Sequence, residues 1–170
     1  MNEIYLNYYL QNNQYSKHFY NISLFISNIF NTKPLLILLI ILYFYKLLSI
    51  NQIIQFLLFT VLIIFIKYII KRHRPFTTNK NIKNLDNSKL DTYSFPSGHM
   101  FTSSLLMLIL YKNSQKSIYN QNLKILLPII PLLVGFSRIM LGVHYLTDVI
   151  ASYLFANFIF LYLLRLNINE

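Results

Sequence analysis

The stretch QIIQFLLFTVLIIFIKYIIKRHRP, Gln52 to Pro75, carries the decision about the fold. Between Ile53 and Ile70 its single charge is Lys67, and the run then stops abruptly in Lys71, Arg72, His73, Arg74 and Pro75. A helix needs about 20 mainly apolar residues to cross the hydrocarbon core of a bilayer. This stretch supplies them, together with a cationic, proline-marked end. The composition of the whole chain agrees with it. Of 170 residues, 55% are hydrophobic and 12% charged, against about 25% charged in soluble domains. A soluble fold of this size cannot hide so much apolar surface, so lipid is the expected solvent.

Working outward, Pro34 to Ile50 is the clear span before this one, with proline at a helix start. Helix is expected again after Pro96 to about Tyr111, from Leu123 to Leu141 with Pro128 and Pro131 as kink positions, and from about Tyr145 to Leu166. Asn2 to Asn31 is mixed: Tyr20, Leu24, Phe25 and Phe30 form an apolar stripe interrupted by Ser23, Ser27 and Asn28. It reads as an interfacial helix or a short first span. The expected architecture is therefore all-α, a polytopic transmembrane bundle of five to six membrane helices. It forms one domain over residues 1–170, with 1–33 interfacial or a short first helix and 34–170 the core bundle. Met1 to Asn21 does not read as a signal peptide, so insertion is expected through the later segments.

Alternating spans have a consequence. The ends at Lys71, Pro96, Leu141 and Tyr145 fall on one membrane face, and those at Ile50, Lys112, Leu123 and Leu166 on the other. The long polar loop TTNKNIKNLDNSKLDTY, Thr77 to Tyr93, lies on the first face, where its length suggests a segment near a site. Basic residues occur at both faces, so the positive-inside rule assigns no orientation. The net charge of +10, from fifteen Lys and Arg against five Asp and Glu, suits an anionic lipid surface or a phosphorylated substrate. Scattered basic residues and the absence of any nucleic-acid-binding motif argue against nucleic acid as partner. There is no cysteine, which excludes disulfides and thiolate metal sites.

Three polar clusters gather on the first face. In KYIIKRHRP, Lys67 and Arg74 are seven apart and share a helix face. A cation inside a span costs about 3 kcal/mol unless paired or hydrated. Lys71 and Arg72 read as snorkelling to headgroups, whereas Lys67 is a turn deeper and Arg74 sits rigidly before Pro75. In PSGH, Ser97 is a natural N-cap, Gly98 permits close approach of an anion to the backbone, and helix N-termini bind phosphate. His99 there gains no packing. In SRIMLGVHYLTD, Arg138 needs a partner, and His144 and Asp148 are spaced i, i+4. On spacing alone, that His–Asp pair is equally a structural one or a catalytic one. His99, His144 and Asp148 make a poor zinc set beside so many cations, and no metal is expected. Cations converging with helix N–H groups imply an oxyanion, most simply phosphoryl. Two histidines suggest a nucleophile and a proton donor. The residues read as metal-independent phosphoryl transfer at a membrane surface.

These residues resemble a known family. K-x6-RP (Lys67, Arg74, Pro75), PSGH (Pro96 to His99) and SR-x5-H-x3-D (Ser137, Arg138, His144, Asp148) match, in order and spacing, the three signatures of the type 2 phosphatidic acid phosphatase superfamily. The resemblance implies that His144 attacks phosphorus to form a phosphohistidine and that Asp148 holds its ring. It implies that His99 protonates the leaving lipid oxygen and then activates water. Lys67, Arg74, Ser97, the Gly98 amide and Arg138 would hold the phosphoryl oxygens, with no cofactor. It further implies a membrane lipid phosphate as substrate, with undecaprenyl diphosphate ahead of phosphatidylglycerophosphate, phosphatidate and lipid A phosphate. The site is expected on the exterior or periplasmic face of a bacterial cytoplasmic membrane. A phosphotransferase and a non-catalytic lipid-phosphate-binding protein are the rival readings. Soluble vanadium haloperoxidases share the motifs but not this composition. His18 and His73 match no motif and read as interfacial bystanders. The sequence carries no pointer to oligomeric state.

Overall fold

The structure, a computed structural model, describes residues 3–12, 16–86, 91–114, 124 and 126–166. Its helices are α1 (Glu3–Asn12), α2 (Ser16–Ile29), α3 (Thr32–Phe44), α4 (Ile50–Ile70), α5 (Pro75–Thr78), α6 (Gly98–Ser114), α7 (Ile129–Met140) and α8 (Leu146–Leu166). Among the described residues the nearest thing to a sheet is one bridge between His73 and Tyr93.

The opening stretch becomes α4. Ser49 caps it through a reciprocal pair: the Gln52 amide N–H donates to Oγ of Ser49, and the Ser49 N–H donates to Oε1 of Gln52. This satisfies two of the donors a helix start leaves open. The helix ends at Lys71, whose left-handed backbone (φ 54°) turns the chain back across the bundle. The outer face of α4 exposes Leu58, Val61, Phe65 and Ile69, and that of α8 exposes Leu154, Phe158 (73%) and Leu161. Contiguous apolar surface of this kind is stable only against lipid, so the chain is an integral membrane protein.

α6 is the centre of the bundle and packs against α4, α7 and α8. It is buried along most of its length, from Met100 through Met107, and an all-round buried face is what a central helix requires. Small residues let its neighbours close in. A Cβ on Gly135 of α7 would lie 2.7 Å from a Val149 methyl and 3.1 Å from the Met100 sulfur. The hydroxyls of Thr102 and Ser103 donate to carbonyls a turn back, which satisfies them where no water reaches.

Two helices, α4 and α8, are each long and apolar enough to cross a membrane. Residues 17–29 and 32–44, bent by 58° at the α2–α3 junction, form a third such path when taken together. Several expected boundaries are corrected. The span expected over Pro34 to Ile50 is helical only to Phe44, because the chain turns at Lys46 (φ 56°) while the sequence stays apolar. The span expected from Leu123 begins beyond the described residues, and α7 proper starts after Pro128, its N-cap. Residues 124 and 126 are helical and a turn at 127 and 128 separates them from α7, so Pro128 stands at a break in the helical path, while Pro131 lies within the first turn of α7. At the N-terminal side the mixed segment divides into α1 and α2, both packed on α7.

Candidate active site

The end of the bundle formed by the starts of α3, α6 and α8 and the ends of α4 and α7 holds a cavity of about 730 Å³. Lys67, Arg74, Gly98, His99, Arg138 and His144 all border it. Two further residues of the expected set stand behind its wall. Ser97 is buried, its N–H donating to Oγ of Ser152 at 2.7 Å and its own hydroxyl accepting weakly from the Met100 N–H at 3.5 Å. Asp148 is buried below His144. From this end the cavity runs between α3 and α4, past Leu35, Leu36, Leu39, Phe56, Leu57, Ile63 and Ile64. One end is polar and cationic and the rest is hydrocarbon.

His144 lies in the turn between α7 and α8. Its Nδ1 is 3.5 Å from Oδ2 of Asp148, and its Nε2 is 3.5 Å from Nη1 of Arg74. Arginine only donates, so the Nε2 facing it is the nitrogen suited to carry the lone pair, while Nδ1 makes no hydrogen bond among the described residues and has the Asp148 carboxylate as its nearby acceptor. Burial, and then the charges of Arg74, Arg138 and Lys67, hold the imidazole well below the usual histidine pKa, so it is neutral at neutral pH. A neutral ring with Nε2 free of its proton is the form that can attack an electrophile.

His99, in the first turn of α6, has its Nε2 2.9 Å from Oδ1 of Asn31. The Asn31 amide orientation is set by its Nδ2, which donates to Oδ1 of Asn28. The Asn31 oxygen therefore faces His99 and marks Nε2 as the proton-bearing nitrogen. Protonated on both nitrogens, such a ring can give its Nε2 proton to a leaving oxygen and remain a neutral imidazole. Space beside Gly98 is open: a Cβ placed on it would meet nothing within 4 Å.

The cations are held by carboxylates that the motifs do not contain. Asp91 bridges two of them, with Oδ2 2.8 Å from Nζ of Lys67 and Oδ1 on Nη2 of Arg74. Nε of Arg74 also donates to the Asp91 carbonyl, and its Nη1 to the Val143 carbonyl. Arg138 is paired with Asp86 at 2.6 Å, neither side chain exposed, and donates to Ser27 of α2. Its Nε and Nη2 make no hydrogen bond among the described residues. Buried guanidinium donors are costly to leave unmade, and at the edge of this cavity they suit an oxyanion.

Arg72 corrects an expectation. It does not snorkel; it donates to Oδ1 of Asp148 (2.7 Å), Oε2 of Glu3 (2.6 Å) and the Thr147 hydroxyl (2.6 Å), and its guanidinium lies 4.0 Å above the Tyr145 ring. Burial opposes its charge, but Asp148 and Glu3 outweigh that and raise its pKa. Burial likewise pushes Glu3 up, and the bonds from Thr147 and Arg72 bring it below the usual carboxylate value. Lys71 stays exposed. Asn7 of α1, 0% exposed, donates to the carbonyls of Ile139 and His144 and pins the turn that carries His144. Among the described residues no three His, Asp or Glu side chains converge as a metal-ligand set.

Comparison with known proteins agrees with this architecture. Residues 49–169 match the family model of the PAP2 superfamily. The fold is similar to the crystal structure of a transmembrane PAP2-type phosphatidylglycerolphosphate phosphatase from Bacillus subtilis, with a TM-score of 0.69 and 21% sequence identity over 98% of this chain and 92% of that one. A membrane-embedded helical bundle with this family's three signatures gathered at one end defines the class. The chain belongs to the PAP2 superfamily and is a phosphatase.

Proposed function

We propose that this protein hydrolyses the phosphomonoester or diphosphate of a membrane lipid, without a metal, through a phosphohistidine on His144. The carrying observation is the cavity itself, in which two histidines and three cations sit at one end of a hydrocarbon-lined path. A lipid that keeps its chain between α3 and α4 would bring its phosphate to the cations. His144 Nε2 attacks phosphorus, and the ring's Nδ1 proton is stabilised by Asp148 as positive charge develops. His99 in its imidazolium form, which the entering phosphate dianion favours, gives its Nε2 proton to the departing lipid oxygen, and the resulting neutral ring then takes a proton from the water that cleaves the phosphohistidine. Lys67, Arg74, Arg138 and the Gly98 amide hold the phosphoryl oxygens, while Ser97 sets the α6 start that presents that amide.

The substrate is drawn from lipid phosphates and diphosphates. Undecaprenyl diphosphate is the reading from the sequence, and the similar Bacillus subtilis structure supports placing phosphatidylglycerophosphate beside it. Phosphatidate and lipid A phosphate complete the set. In this reading the chain is one PAP2-type domain over 1–170 whose path through the membrane comprises five to six segments. Residues 1–33 contribute an interfacial portion, and the site opens on the exterior face of a bacterial cytoplasmic membrane.

The test is an assay of the purified protein on these lipids with EDTA present, beside His144→Ala and His99→Ala. Free phosphate released in EDTA, and lost in both variants, is expected. Full activity of His144→Ala overturns the nucleophile, and a phosphorylated acceptor in place of free phosphate turns the reading to a transferase.

A further inference from the structure

The chain has five acidic residues, and four of them, Glu3, Asp86, Asp91 and Asp148, form ion pairs at this one end of the bundle. Their partners are Lys67, Arg72, Arg74 and Arg138. Each of these four cations is matched by a carboxylate, and Lys33 is a further cation bordering the cavity. A phosphoryl dianion seated on Lys67 and Arg74 with every carboxylate still in place brings like charges together in a medium of low dielectric constant. One carboxylate must therefore yield.

The structure singles out which. The side chains of Asp86 and Asp148 are 0% exposed, whereas that of Asp91 is 34% exposed. Glu3 holds Arg72, which does not border the cavity. Asp91 alone sits on two cavity cations at once, one carboxylate oxygen on each, as two phosphoryl oxygens would. It belongs to the irregular chain between α5 and α6, where a side chain can turn to solvent.

We propose that Asp91 is a specificity-determining residue, a resident anion on Lys67 and Arg74 that an incoming phosphate group displaces. This rests on the reading that those two cations hold phosphoryl oxygens. Binding is then an exchange of one anion for another. A dianionic phosphomonoester gains enough from two buried cations to drive the exchange. A phosphodiester headgroup carries one negative charge and does not. The distinction matters in a bilayer, where diester lipids surround the protein at high concentration, and it excludes the wrong ligand by competition inside the site.

The experiment measures inhibition of the full-length enzyme by inorganic phosphate and by a short-chain phosphatidylglycerol, in wild type, Asp91→Asn, Asp91→Ala and Lys67→Gln. Removing one charge beside the bound anion is expected to lower the phosphate inhibition constant about tenfold or more in both Asp91 variants. It should also turn phosphatidylglycerol, inert toward the wild type, into an inhibitor. The two variants differ in shape and share the charge change, so a folding defect in one leaves the other to decide. A merely structural Asp91 would weaken phosphate and substrate together. An unchanged or raised constant in folded Asp91 variants, or a diester that still fails to inhibit them, overturns the proposal, provided Lys67→Gln weakens phosphate. If Lys67→Gln also leaves phosphate unaffected, it is the placement of the phosphoryl group on Lys67 that fails, and the proposal with it.

Discussion

The two ends of the bundle are built from different chemistry. At one end, buried charges are matched in pairs around a cavity, with Nε and Nη2 of Arg138 left without hydrogen bonds among the described residues. At the other, where α3 turns into α4 and α6 ends, Gln52 and Asn113 exchange amide hydrogen bonds of 3.0 Å and Asn113 donates to the Leu47 carbonyl. Those groups are neutral and partly exposed, and they close a turn. The comparison teaches where this protein spends stability: among the described residues charge is buried at the cavity end, and ordinary hydrogen bonding suffices at the other.

The sharpest way to break the contrast is chemical. His144→Ala is expected to reduce kcat by about 10⁴-fold or more, the scale seen when a nucleophile is removed, with the thermal midpoint near wild type. His99→Ala should cost about 10² to 10⁴ and still form a trappable phosphohistidine. Next comes Asp86→Asn, which leaves Arg138 buried with weaker compensation. Breaking a buried pair costs about 3–5 kcal/mol, to be read as a lowered unfolding midpoint in detergent together with lost activity. Asn7→Ala removes two hydrogen bonds from the turn bearing His144, worth about 1–3 kcal/mol, and should lower kcat more than it changes KM. On pH, the depressed pKa of His144 places the acid limb of kcat/KM below the ordinary histidine value of 6.5. The same depression makes stability fall as pH drops through 6.5, because the unfolded chain takes up the proton first. Arg74→Gln relieves the depression and should move that limb upward. The smallest effect belongs to the far end: Asn113→Ala should cost about 1 kcal/mol and leave activity within about twofold. A large activity loss there would erase the distinction between the two ends.

The sequence disclosed one half of the site better than the other. Lys67, Arg74, Arg138, His99, His144 and Asp148 stand in fixed spacings within or beside apolar helices, where any polar residue is conspicuous. Their partners lack that contrast. Asp86 and Asp91 lie in a polar loop in which an acid is unremarkable, and their pairing depends on how the loop folds back over the helix ends. Glu3 and Asn7 lie on a helix outside the motifs, and Asn31 at a bend that hydropathy does not register. Arg72 was misread for the same reason: an arginine at a helix exit normally reaches for headgroups, and only the arrival of α1 and α8 beside it supplies acceptors. A signal did exist in the scarcity of acids, since four carboxylates in so basic a membrane chain had to be near cations. The helix ends show the complementary failure. Apolar sequence continues through Leu47 and Leu48, so the turn at Lys46 is invisible to any count of hydrophobic residues.

The position of α1 also sets an order of events. Asn7 bonds to residues 132 and 137 positions further along, and Glu3 to one 144 positions away. At a synthesis rate of about 5–20 residues per second, α1 waits on the order of ten seconds for the segment it will hold. Its exposed tyrosines Tyr5, Tyr8 and Tyr9 suit a helix resting meanwhile at the lipid–water boundary. The turn that carries His144 is thus locked by two segments made far apart in time, so a nascent chain that stalls before α8 has not yet assembled the cavity end.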